Sequence, residues 1–247
     1  MKLLVIVLCL LIERYWMPLG SSQRFYWFSF YGSVMEKQLA KLSFIGAPWV
    51  KLMLFLLPFL GTMFFILHQT SHELFGLVGL FFNVLILFGC IGPGNPFYPA
   101  EDLTGEVHRQ GDVEAYLVKA NEQLFAVLFW YFMLGPLAVL GYRLISESRR
   151  LVCLNPLASR LTNFIDWLPV RMTVLLYLLV GNFQAGLRNF SQFLIKSPGN
   201  NQHMLSVCGL DALGSGSESI QMVHAKNLVD HSVIVLLVFL ALFTMVA

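Results

Sequence analysis

The sequence predicts an all-α, multi-pass membrane protein with four secure crossings and two proline-bent or re-entrant segments. Three observations carry that expectation. Of 247 residues, 57% are hydrophobic and only 12% are charged, against about 25% charged in a soluble domain. The mean hydropathy is +0.70, and the apolar residues gather in long runs. Pro136 interrupts one of those runs and Pro169 lies near the opening of another.

The first run, 1–16, reads MKLLVIVLCLLIERYW. It has the positive residue and apolar core of a signal peptide but no small-x-small cleavage site, so it reads as a retained anchor. At 1.5 Å per residue it is about 24 Å long, slightly short for a hydrocarbon core of about 30 Å. Runs 48–67 and 74–91 follow, joined by the polar link HQTSHE, and 231–247 is the last. The run 124–145 is long enough to cross but carries Gly135-Pro136 at its middle. Proline there removes a backbone hydrogen bond and clashes with the preceding turn, so this helix is kinked or broken.

The stretch 164–183, FIDWLPVRMTVLLYLLVGNF, is harder to place. Leu168 precedes a proline and is biased away from helix. Pro169 suits a first helical position and Gly181-Asn182 a stop. The resulting half-helix, 169–180, is about 18 Å long and too short to span. Asp166 sits before its positive end, where a carboxylate is favoured. Two readings remain: a membrane-surface or re-entrant helix with Arg171 at headgroup level, or a polar site facing a ligand or partner.

Positive charge orients the chain. The stretch 92–228 holds ten of the 16 Lys and Arg residues, and the link HQTSHE holds none. That places 14–47 and 92–230 in the cytoplasm and both termini outside. If 124–145 crosses fully, Arg149, Arg150 and Arg160 land outside; if it bends back at Gly135-Pro136, they stay in. Within 92–230, a short acidic helix is expected over 99–110 and a second from Gly111-Asp112 into Leu124. Residues 184–196 form an amphipathic segment suited to the membrane surface. SPGNNQ is a turn, HMLSVCGLDAL a short helix and GSGSES a flexible link. The aromatics of 15–31 read as an interfacial belt. The whole forms a single membrane domain, 1–247.

Several chemistries are excluded or weakened. The net charge of +2 and the lack of a K/R-rich stretch argue against nucleic acid. The cysteines Cys9, Cys90, Cys153 and Cys208 are scattered singly and form no disulfide ladder. GCIGPGN and GSGSES lack the following Lys-Ser/Thr pair of a phosphate loop. His68 and His72, with Glu73 beside them, have helical ligand spacing but occupy a link where a turn is expected. No metal site, cofactor or self-contained catalytic group is expected. Glu13 and Arg14 end the first helix and suit a local ion pair, headgroup contact or partner contact.

The segments LLIERYW, LFAVLFWYFMLGPLAVLGYRLI, FIDWLPVRMTVLLYLLVGNF and CGLDAL resemble AmpE, a bacterial inner-membrane family. Its motif positions here are Phe129, Trp130, Gly135, Pro136, Tyr142, Asp166, Trp167, Pro169 and Arg171. The resemblance implies a regulatory part in β-lactamase induction, linked to muropeptide recycling, with a cytoplasmic or membrane protein partner. A more distant likeness joins Leu128-Phe129-Trp130 and Tyr142-Arg143 to the cobalamin-pathway amide synthase family CobD/CbiB. Most of that family's polar positions differ: Val118-Lys119 stand where it has Glu-Asn, although Glu122 keeps an acid. Under that likeness Glu122, Asp166, Arg171 and Asp211 are the polar groups that an amide-forming site would use.

Overall fold

Pro136 has no amide hydrogen, and the consequence is visible throughout the helix order. The computed structural model describes residues 2–15, 31–32, 34–35, 48–70, 77–92, 97, 110–151, 154–194, 197–214 and 222–246. Among them every regular element is helical: α1 (Lys2–Tyr15), α2 (Pro48–Thr70), α3 (Leu77–Cys90), α4 (Gln110–Ala120), a π-turn (Asn121–Phe125), α5 (Ala126–Leu134), α6 (Pro136–Ser148), α7 (Asn155–Ile165), α8 (Trp167–Val180), α9 (Phe183–Phe193), a 3-10 turn (Pro198–Asn200), α10 (Asn201–Ala212) and α11 (Met222–Val246). The chain divides into two compact units. One comprises Met1–Cys9, Ser21–Pro93 and Val127–Asn163; the other comprises Leu10–Gly20, Gly94–Ala126 and Phe164–Ala247.

Among the described residues two helices are long and apolar enough to cross a membrane, α2 and α11, or three if the pair α7–α8, bent by 50°, counts as one span. This is fewer than the four secure crossings expected. α1 and α3 have 14 residues each, about 21 Å at 1.5 Å per residue, which falls short of a bilayer core. The expected start of α3 at 74 lies outside the described residues, as do the acidic stretch 99–109, the belt 16–30, His72, Glu73, Cys153 and the GSGSES link. His68 belongs to the last turn of α2, not to a loop, and stacks on Phe64 at 6.1 Å.

In the first unit, α6 packs against α2 and α3. The helix expected over 124–145 is broken at Gly135, whose φ of 91° is one that side-chain-bearing residues rarely adopt. Pro136 then opens α6 at a position where its missing donor is harmless. The break strands the Phe132 carbonyl, four residues before the proline. Lys2 Nζ donates to that oxygen at 3.0 Å. A half-buried polar contact involves the preceding residue: Tyr131 Oη donates to Asn83 Oδ1 at 3.3 Å.

In the second unit α8 is the central helix, with α9, α10, α11 and the π-turn packed on it. Pro169 is its third residue, not its first; the first-turn amides of any helix lack acceptors, so the helix starts two residues earlier than expected. Eight of its 14 residues are buried, including Val174, Tyr177 and Leu178. α9 runs back along α8, and α10 returns parallel to α8. Gly181 is where α8 and α10 close: the Asn182 amide donates to the Ala212 carbonyl at 2.8 Å, and a Cβ on Gly181 would run into that carbonyl oxygen. α11 begins at Met222, nine residues before the expected 231. Met222, Ala225, Leu228, Val229 and Ser232 carry its buried face upstream at helical spacing.

Candidate functional site

Arg171 has the most defined environment of the residues singled out by sequence. Its side chain is 7% exposed. Nε donates to the Leu194 carbonyl at 2.8 Å, Nη1 to the Trp167 carbonyl at 2.7 Å and Nη2 to the Phe193 carbonyl at 3.4 Å. Nη1 also lies 3.4 Å from Asn201 Oδ1. The guanidinium stacks 3.9 Å from the Trp167 ring centre. The carbonyls at 193 and 194 close α9, where a cation is favoured by the helix dipole and the orphaned acceptors. Arg171 therefore fastens the start of α8 to the end of α9 and the start of α10. The side chain is buried among these helices rather than open to solvent. Asp166 precedes α8 at the α7–α8 bend, itself buried, with its carbonyl accepting from the Val170 amide at 2.9 Å.

The other polar residues of this unit take part in separate joints. Thr173 Oγ1 donates to Asn121 Oδ1 at 2.8 Å, both residues buried, which ties α8 to the first residue of the π-turn. Tyr177 Oη donates to the Leu117 carbonyl at 3.3 Å. Asp211 accepts from Asn189 Nδ2 at 2.8 Å, joining α10 to α9. Burial pushes the nearby Cys208 thiol up to about 12, and the Asp211 carboxylate adds to the effect. Arg14 Nη2 approaches Asp230 Oδ2 at 3.5 Å and its guanidinium lies 5.8 Å from the Phe97 ring centre. Glu13 beside it is fully buried. Asp230 of α11 is thus one partner of Arg14.

Glu122 lies elsewhere. It lines an open groove of about 400 Å³ between α4 and α10, with Glu114, Val118, Lys119, Gln202 and Ser206. Gln202 faces this groove, while Asn201, about 100° round the same helix, faces Arg171. Asn201 and Asp211 are ten residues apart on α10, about 15 Å along its axis. The groove that Glu122 lines includes none of Asp166, Arg171 and Asp211. Among the described residues no group of three or more His, Cys, Asp and Glu side chains has the arrangement to hold a metal ion.

The motif residues of the first unit lie on α5 and α6 and at the break between them. Phe129 meets Trp130 edge to face at 5.3 Å, and Tyr142 is buried. Arg143 Nη2 pairs with Glu147 Oε1 at 3.0 Å, both buried, and Glu147 Oε2 also meets Arg150 Nε at 3.0 Å. Sequence reading missed this pair, although its i, i+4 spacing on one helix face is the available signal. It also missed Asn121–Thr173, whose residues are 52 apart and carry no local pattern.

An 84-residue stretch is 31% identical to the cobalamin biosynthesis protein CobD of Chromobacterium violaceum. It covers 31% of this chain. The likeness is partial. The chain matches 27% of the length of that relative, which supports the distant CobD/CbiB likeness and nothing wider. No family model matches the chain, and no solved structure matches it.

Proposed function

We propose that the chain is an AmpE-like, multi-pass protein of the bacterial inner membrane that senses or modulates β-lactamase induction linked to muropeptide recycling. Its region 92–230 faces the cytoplasm and meets a cytoplasmic or membrane protein partner. One observation supports a regulator over an enzyme: the arginine of the DWLPVR motif is engaged in holding helices together. Arg171 spends its donors on backbone carbonyls of α8 and α9, and a group so committed is a fastening rather than a reagent. The test is deletion of the gene in a strain with inducible β-lactamase, with induction and cytosolic muropeptides measured across inducers. A change in either is the expected result; no change in both sinks the reading.

The match to CobD favours a second reading, a membrane-bound amide-forming enzyme of that type with an altered substrate. It requires carboxylates that act on substrate, and Glu122, Asp166 and Asp211 are the candidates. Under it, Glu122→Gln and Asp211→Asn abolish amide formation from an amine and a carboxylic acid by the purified protein. Under the first reading those variants have no such activity to lose.

A further inference from the structure

The groove between α4 and α10 has no part in the joints described above. Its volume of about 400 Å³ lies in the range of about 300–1,000 Å³ typical of small-molecule sites. The distribution of greasy surface shows which side of the unit it opens on. α8 exposes Leu168, Met172 and Leu179, α9 exposes Phe183 and Leu187, and α11 exposes Ile234 and Val238. Among the described residues, α4, the π-turn and α10 expose no large hydrophobic side chain. The groove therefore belongs to the polar side of the unit.

Its chemistry is mixed in a definite order. Glu114 and Glu122 are eight residues apart on one helical run, about 12 Å along the axis, with Lys119 between them. Gln202 and Ser206, one turn apart on α10, supply an amide and a hydroxyl from the other wall. Glu122 is the second residue of the π-turn, a wide turn that is rare and found most often at functional sites. The buried Thr173–Asn121 bond anchors that turn from below. Carboxylates and an ammonium thus share one groove. A ligand carrying both an ammonium and a carboxylate matches it.

We propose that the α4–α10 groove binds a small zwitterion, an amino acid or short peptide, with its ammonium on Glu122 and its carboxylate on Lys119. This goes beyond the regulatory reading and does not depend on which pathway the protein serves. The experiment uses the full chain in lipid nanodiscs and alanyl-alanine as the probe, titrated by calorimetry. The controls are ethylamine, acetate, inorganic phosphate and the dipeptide capped at both ends. Saturable binding of the uncapped dipeptide is expected, near about 1 mM or tighter as suits two charge-assisted contacts at a wet site. Glu122→Gln and Lys119→Met each weaken it by about tenfold or more, while Arg188→Gln, outside the groove, leaves it unchanged. No saturable binding by the unaltered chain, or equal binding of the capped dipeptide, overturns the proposal. The capped-ligand comparison needs no variant, so it decides even if a substituted protein fails to fold.

Discussion

α2 and α8 are alike in composition and opposite in surroundings. In α2, only 17% of the apolar window is buried by the protein, and Met53, Leu57, Phe64 and Phe65 are largely exposed. In α8, eight of 14 residues are buried among neighbouring helices, and the exposed large side chains are confined to the single stripe Leu168, Met172 and Leu179. An apolar run reports only that water is excluded. What excludes it, lipid in one case and protein in the other, is decided by the amphipathic partners that the chain supplies elsewhere.

That contrast can be broken at its strongest point first. Arg171→Met removes the donors that hold three carbonyls and should lower stability by about 3 kcal/mol; thermal unfolding in detergent reads it, and an unchanged midpoint would mean that α8 does not depend on α9. Gly181→Ala pushes a methyl group into the Ala212 carbonyl, and about 2 kcal/mol of destabilisation is expected by the same measurement. Thr173→Val keeps the shape but leaves Asn121 Oδ1 without its hydroxyl, costing about 1–2 kcal/mol. Leu57→Ala on the exposed face of α2 should change stability by less than about 0.5 kcal/mol. A lipid-soluble photoreactive carbene, read residue by residue, sharpens the comparison further: the Leu57 and Phe64 side chains should be labelled and those of Val174 and Tyr177 spared. Equal labelling of both sets would erase the distinction.

The break in the 124–145 run could be read directly from sequence, because a proline's missing donor acts whatever surrounds it. The contact that relieves it, Lys2 on Phe132, could not, since it spans 130 positions. The upstream half of α11 was hidden by His224, Lys226 and Asp230, which lower the hydropathy of a helix whose apolar face is nevertheless continuous. Of the candidate residues, Arg171 stood out as a charge in a greasy stretch. Its task was invisible, because the carbonyls it satisfies lie 22 and 23 residues downstream in an amphipathic segment that reads equally well as surface-bound. The π-turn at Asn121 has no sequence signature of its own.

The Arg171 fastening has a consequence for biogenesis. While the ribosome is still adding residues beyond 180, the guanidinium has no downstream acceptors, and α8 by itself carries a bare charge that lipid strongly disfavours. The nascent chain therefore does best to hold α8 back until α9 has emerged. The two should then settle together as a hairpin, with the arginine already capped.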